Sequence, residues 1–224
     1  DEMIAFLKIN NYLLTDHLAN SLEYGVPQNR DRVMLFGVHE SLMNEENKTN
    51  FSNSFNWNEN IKFPIEYIPI KSQWPTAEVF SNESKKEIPS NIVNFEELTV
   101  EYWFNKNQVA NHPNSTSFFK PRQGLGKFQT IQEGDVSRKS FKRLHRWRYS
   151  PTTAYGNNEV HLHPYKERRL SASEALAIQS MPREFQFPEN MSLSDMFKTI
   201  GNGVPFLMSK SIAKTIKKYL QDMN

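Results

Sequence analysis

Hydrophobic and polar positions follow different periods at the start of this chain than at its end. The apolar residues of 2–9 fall on one face of a helix. Residues 12–22 and 32–38 have the pattern of β-strands, and the second is apolar apart from Gly37, which is typical of a strand buried on both faces. Because a sheet of two strands is marginal in water, we expect this segment to join a larger sheet.

Helical spacing returns in the C-terminal quarter. Ser171 and Glu174 have the spacing of a capping box, and Ser192 begins a second, weaker helix start. Pro205 suits the first turn of a last helix. One face of that helix carries an apolar stripe formed by Met208, Ile212, Ile216, Tyr219 and Leu220.

The middle of the chain has no sustained period. Residues 41–62 are rich in Asn, Ser and Glu and are predicted to be a loop. Residues 63–150 combine short extended pieces with scattered prolines and polar turns, which predicts an irregular domain with a few strands and short helices. These patterns divide the chain into residues 1–40, 41–165 and 166–224.

Composition narrows the class of protein. The net charge is only +2, but residues 136–158 contain six Lys or Arg and no acidic residue. The chain has no apolar run of about 18 residues, so no membrane span is expected. It has no cysteine, which excludes disulfides and thiolate metal sites and fits a cytosolic protein. His161 and His163 alternate on an extended segment, but without a third ligand we predict no metal site.

The segment Gln28-Asn29-Arg30-Asp31-Arg32 is the first candidate for chemistry. Residues two apart in an extended chain point to the same side, so Arg30 and Arg32 are expected to act together. The planar guanidinium suits phosphate oxygens and base acceptors. From spacing alone, a surface ladder of ion pairs around Asp31 is the favoured interpretation.

Three segments together resemble one family. Residues 24–37, with their Gln-x-Arg-x-Arg pattern, resemble the arginine motif of cytosine-5 DNA methyltransferases. Residues 168–182 resemble the ninth motif of that family, although Ser173 and Ala177 stand where the family has arginines. Residues 200–205, Ile-Gly-Asn-Gly-Val-Pro, resemble the tenth motif, where Gly-Asn-Gly alone would only indicate a turn. The segments occur in the family order.

The resemblance implies an α/β fold. It implies a partial Rossmann-like sheet of an S-adenosylmethionine-dependent methyltransferase at both chain ends, with an irregular mixed target-recognition domain between them. Residues 1–40 would be the C-terminal strands of the catalytic domain, and 41–165 the target-recognition domain. Residues 166–224 would be the ninth-motif helix and the tenth-motif segment that returns to the catalytic domain.

The resemblance also implies roles for single residues. Gln28, Arg30 and Arg32 would belong to the catalytic site, with Arg32 on the carbonyl oxygen of a flipped cytosine and Arg30 organising the site. The cofactor would be S-adenosyl-L-methionine, shared with the missing half of the enzyme. Its contacts in this chain would be Asn202, Gly203 and Val204.

The basic segment at 138–149 interleaves cations with aromatic residues. It predicts either a solvated basic strand with its aromatic residues inward, or a surface that binds double-stranded DNA. For the second case, Lys139 and Lys142 are predicted to bind phosphates. Groove edges are predicted to be read by some of the three arginines Arg143, Arg146 and Arg148. Thr152 follows in a Pro-Thr element and is predicted to contact the backbone.

The family reaction needs a cysteine thiolate that adds to cytosine, and this chain has no cysteine. The sequence is therefore interpreted as the C-terminal half of a cytosine-5 DNA methyltransferase of the restriction-modification type, or as the second subunit of a split enzyme. It would be inactive without an N-terminal half that carries the cysteine. The alternative is a non-catalytic, sequence-specific DNA-binding protein derived from a methyltransferase. For either function we expect a bacterial cytoplasmic protein associated with the nucleoid.

Overall fold

A computed structural model describes residues 2–121, 125–153, 155 and 160–223. The N-terminal region is helix α1 (Glu2–Ile9) followed by strands β1 (Tyr12–Asn20) and β2 (Asp31–His39), which pair antiparallel. Strand β1 ends two residues earlier than predicted. The reason is that the Asn20 side chain accepts a hydrogen bond from the Leu22 amide and starts a 3-10 turn.

The hairpin has one covered face and one open face. On the covered face, Val38 packs against Phe51 of helix α2 (Glu45–Ser54) and near Tyr219 of helix α7 (Phe206–Asp222). On the other face, Leu18 and Val33 lie directly opposite each other and are 62% and 71% exposed. The prediction that the second strand is buried on both faces is therefore wrong for this chain alone.

Helix α2 lies where a loop was predicted. Asn44 caps it, because its side chain accepts a hydrogen bond from the Asn47 amide at 2.8 Å. Its sequence is almost entirely polar, and Phe51 is its single buried residue. A helix with so narrow an apolar face leaves little periodicity to detect.

The described residues of 63–150 have the irregular structure that the sequence predicts. They include helix α3 (Val100–Lys106), the short helix α4 (Leu125–Thr130) and several 3-10 turns. Within the described residues, strand pairing in this region is limited to isolated bridges. The few strands expected there are therefore absent from the described part. Trp74, Ile92 and Leu98 form one of its buried clusters.

The C-terminal region is helical. Helices α5 (Ala172–Ile178), α6 (Leu193–Asn202) and α7 begin at the predicted starts, and the Ser171–Glu174 capping box is present. The sheet expected at both chain ends is found only at the N-terminal end. The described C-terminal residues contribute helices, and α7 covers the hairpin instead of extending it. None of the described helices is long and apolar enough to cross a membrane. The three predicted domain spans stay a prediction.

Candidate functional site

Arg30 lies at the meeting point of three distant segments. Its side chain is 2% exposed and donates three hydrogen bonds, all to backbone carbonyls. Nη1 donates to the Thr153 carbonyl at 3.3 Å. Nη2 donates to the carbonyls of Gly201 at 2.9 Å and Gly203 at 3.0 Å. One side chain of the arginine motif therefore fixes the end of α6 and the segment that follows the basic stretch.

Gln28 joins the same assembly through Thr153. Its Oε1 accepts hydrogen bonds from the Thr153 amide at 3.2 Å and from the Thr153 hydroxyl at 3.3 Å. The Gln179 amide nitrogen donates to Thr153 Oγ1 and to the Ile200 carbonyl, each at 2.8 Å. Gln28, Thr153 and Gln179 are all buried. We call Gln28, Arg30, Thr153, Gln179 and the carbonyls at 200–203 the motif junction.

The junction holds a buried positive charge. Within the described residues no carboxylate pairs with Arg30. Burial, followed by the charge of Arg32, lowers the pKa of Arg30 to about 10. The guanidinium therefore remains charged at neutral pH, and the carbonyl dipoles are its acceptors.

Arg32 is the more accessible arginine of the motif. It lies on β2 opposite Ala19 and is half-exposed. Its one hydrogen bond among the described residues runs from Nη1 to the Asp31 carbonyl at 2.6 Å, so most of its donors remain free. The alternative of an ion-pair ladder is not found in the described part, where the Asp31 carboxylate accepts from Asn20 and pairs with neither arginine.

The segment that resembles the tenth motif differs locally from the prediction. Gly201 and Asn202 belong to the last turn of α6, and Gly203 is extended with a φ of −65°, so these residues are a helix end rather than a Gly-Asn-Gly turn. A Cβ on Gly201 would lie 3.0 Å from the Tyr155 amide nitrogen, which explains the need for glycine at this close approach.

Asn202, Gly203 and Val204 are exposed beyond this anchored backbone. An exposed amide, a bare backbone and an apolar side chain fit one wall of a nucleoside-type pocket. They do not enclose such a ligand. The predicted cofactor contacts are therefore accessible, and their role stays a prediction.

The basic segment contains two kinds of arginine. Arg146 is 0% exposed, and its Nε and Nη2 donate to the two carboxylate oxygens of Glu133 at 2.9 Å. Arg143 is also 0% exposed and donates to four backbone carbonyls, those of Phe128, Ile131, His163 and Lys166. The prediction that Arg143 and Arg146 read groove edges is contradicted by this burial. In both side chains all three guanidinium nitrogens already donate to internal acceptors.

The other predicted DNA contacts lie nearer the surface. Lys139 is exposed, and Lys142, Arg148 and Thr152 are half-exposed. Thr152 Oγ1 donates to the Asn29 carbonyl at 2.9 Å, next to the arginine motif. The basic segment is therefore partly structural and partly accessible, a division that its sequence does not mark.

The carboxylates of this region are paired internally, and its two alternating histidines are buried. Burial lowers the pKa of both His161 and His163 to about 3. The side chains of Glu78, Glu133 and His145 come within 4.8 Å of one another. However, Arg146 already binds Glu133, and Lys86 binds Glu78. Matched charges of this kind leave little attraction for a cation.

Sequence reasoning missed two members of these arrangements. Thr153 links Gln28 to Gln179 but stands beside Thr152, the residue that the Pro-Thr element brought forward. Glu133 neutralises Arg146 from 13 residues away. A local pattern could not have found either, because both contacts depend on tertiary packing.

Comparisons with known proteins agree with the family resemblance. Residues 1–218 match the family of C-5 cytosine-specific DNA methylases. The chain is 54% identical over 211 residues to the type II methyltransferase M.NmeDI of Neisseria meningitidis serogroup C, a match that covers 94% of this chain and 47% of the relative. The chain thus spans about half the length of this relative.

Two further comparisons differ in coverage. A structure described as a DNA modification methyltransferase encoded within a prophage (E. coli) aligns with a TM-score of 0.60 at 18% identity, covering 98% of this chain and 64% of that one, which shows similarity of fold. The type II methyltransferase M.AquIB of Picosynechococcus sp. is 23% identical over 128 residues, which are 53% of this chain but 91% of M.AquIB. M.AquIB is therefore itself a chain shorter than this one.

Proposed function

This chain belongs to the C-5 cytosine-specific DNA methylase family, and from that premise we propose that it supplies the DNA-recognition part and the active-site arginines of a cytosine-5 DNA methyltransferase. The enzyme would use S-adenosyl-L-methionine and act in a type II restriction-modification system. A second polypeptide, or a further part of the same protein, carries the cysteine nucleophile. The proposed setting is the bacterial cytoplasm, at the nucleoid.

The motif junction carries this proposal. Arg30 and Gln28 are committed to holding Thr153 and the end of α6. Arg32 lies beside them with most of its donors free. A buried cation that organises backbone and a neighbouring arginine open to a ligand are the arrangement expected of a site that accepts a polar, carbonyl-bearing group.

In the proposed reaction, a cytosine leaves the DNA stack and its carbonyl oxygen accepts hydrogen bonds from Arg32. Arg30 and Gln28 hold the surrounding backbone in place. Bound S-adenosylmethionine supplies the methyl group, and Asn202, Gly203 and Val204 form one wall of its pocket. Lys139, Lys142 and Thr152 contact the DNA backbone. The thiolate comes from outside these residues, because none of them is cysteine.

The open face of the hairpin supports a further part of the enzyme that packs on it. Leu18 and Val33 are exposed side by side, and Met3, Phe6 and Ile9 of α1 are 64%, 65% and 81% exposed. Apolar surface of this kind is typical of a face that packs against another element. The short length of M.AquIB adds support, since a type II methyltransferase chain can be smaller than this one.

Complementation tests the proposal. The chain is mixed with the part of M.NmeDI that lies outside the matched 47%, and transfer of labelled methyl groups to plasmid DNA is measured by mass spectrometry of 5-methylcytosine. We expect methylation from the mixture and none from the chain alone. Arg32→Ala in the mixture should lower turnover by about 100- to 1,000-fold with little change in DNA affinity.

Arg183→Lys, at an exposed site, is the matched control. Methylation by the isolated chain would refute the division of the enzyme. A mixture that binds DNA tightly but never methylates it, with Arg32→Ala unchanged, would favour the non-catalytic DNA-binding protein instead.

A further inference from the structure

We propose that the cavity between Asn29 and Lys71 binds the sugar-phosphate backbone of DNA, with Lys71 and Arg148 as the cations that meet a phosphodiester. The inference rests on the proposed function and extends it to Lys71, which lies outside every motif of the sequence. It also replaces Arg143 and Arg146, whose donors are used inside the protein.

The residues that line the cavity are those expected of an anion-binding site. Its volume is about 310 Å³. Lys71 and Arg148 line it together with the polar side chains of Asn29, Tyr149 and Thr152, and no described lining residue is a carboxylate. Two cations in a cleft without a negative side chain raise the local concentration of anions.

Both cations are free to bind a ligand. In the part of the chain that the structure describes, neither Lys71 nor the Arg148 guanidinium forms a hydrogen bond or an ion pair. The Arg148 guanidinium makes a cation–π contact with the Tyr149 ring, whose centroid lies 5.4 Å from the guanidinium carbon. By contrast, Lys62 and Lys218 each pair with a glutamate. Free cations gain the most from a charge-assisted hydrogen bond to phosphate.

The position of the cavity connects it with the motif junction. Thr152 donates to the Asn29 carbonyl, and the Asn29 amide donates to the Ser150 carbonyl at 2.9 Å. Asn29 directly precedes Arg30, so the floor of the cavity is continuous with the junction. A phosphate held there would lie beside the arginine motif.

A second, smaller cavity argues for a polymer rather than a single anion. Its lining also includes Thr152, together with Lys139 and Lys142. Thr152 is therefore shared by two cavities that each contain two cations. A mononucleotide or free phosphate would occupy one cavity, whereas a DNA strand presents successive phosphates that can reach both.

Salt-dependent DNA binding tests the inference. Binding of a fluorescent 20-base-pair duplex to the full chain is measured by anisotropy over a series of KCl concentrations. Lys71→Gln and Arg148→Gln should each lower the slope of log K against log salt by about 0.9, and the double variant by about 1.8. Lys217→Gln, on an exposed position of α7, is the matched control and should leave the slope unchanged.

Thermal unfolding of each variant confirms that it is folded. If the chain binds the duplex and both variants keep the parent slope, the inference is wrong and the proposed function stands. If the parent chain fails to bind duplex DNA even at low salt, both are overturned. Inorganic phosphate that competes as well as DNA would overturn the assignment to a strand.

Discussion

Arg30 and Arg146 are both enclosed arginines, and each is followed two residues later by a half-exposed arginine. They differ in what surrounds the charge. Burial tends to lower the pKa of Arg146, but the hydrogen bonds and charge of Glu133 outweigh it and raise that pKa. Arg30 has carbonyls alone as acceptors in the described part, and its pKa is lowered to about 10.

The difference separates structural charge from charge that acts on a ligand. Arg146 and Glu133 form a locally neutral buried pair, whose charges largely cancel. No carboxylate of the described residues neutralises Arg30, and its charge adds to that of the nearby Arg32. We infer that the motif junction, rather than the buried Arg146–Glu133 pair, provides the positive potential at the proposed cytosine site.

The largest expected effect comes from breaking the neutral pair. Arg146→Ala should lower the free energy of unfolding by about 3–5 kcal/mol, because it leaves the Glu133 carboxylate buried and unpaired. Replacing both partners, Arg146→Met with Glu133→Leu, should restore most of that loss. Urea denaturation measures both values, and Arg148→Ala should change stability by less than about 0.5 kcal/mol. An Arg146→Ala variant that keeps its stability but loses DNA binding would return Arg146 to the DNA surface.

Local signals in the sequence predict only part of the fold. The Ser171–Glu174 capping box and Pro205 lie within one turn of the helices they start, so α5 and α7 could be located from sequence. Helix α2 could not, because a single apolar residue, Phe51, fixes it to the hairpin. The missing C-terminal strands were expected from family resemblance, which does not specify which parts of a sheet one segment contributes.

The candidate site was likewise predicted only in part. The resemblance assigned the arginine motif to the catalytic site and residues 202–204 to the cofactor, and Arg30 connects the two segments in the structure. Which of Arg143, Arg146 and Arg148 is buried could not be predicted. The alternation of basic and other residues along 143–148 carries no information about hydrogen-bond acceptors elsewhere in the chain. Only the fold brings the Glu133 carboxylate to one arginine and leaves another free.

A change at Arg30, whose acceptors in the described part are all backbone carbonyls, should affect stability less than Arg146→Ala does. Arg30→Lys keeps the charge but loses the planar fork that reaches Thr153, Gly201 and Gly203 together. We expect a loss of about 2–3 kcal/mol in the free energy of unfolding, since hydrogen bonds to charged groups each contribute about 1.5–3 kcal/mol. Amide hydrogen exchange at the end of α6 should accelerate, whereas Arg183→Lys should leave it unchanged. Equal exchange in both variants would show that Arg30 does not hold this backbone.

The smallest expected effect is on the pH dependence of stability and comes from His161, an imidazole that burial keeps neutral. Burial and then the charge of Lys142 lower the pKa of His161 to about 3, well below its ordinary value of 6.5. Between those pH values the unfolded chain binds a proton that the folded chain excludes, so stability falls as the pH decreases from 6.5 toward 3. The slope for one histidine is at most about 1.4 kcal/mol per pH unit. His161→Leu should remove that contribution in urea titrations at pH 7, 6 and 5. If the variant and the parent lose the same stability as the pH decreases, His161 is not kept neutral by burial. The contrast between this neutral buried histidine and the charged buried arginines would then be wrong.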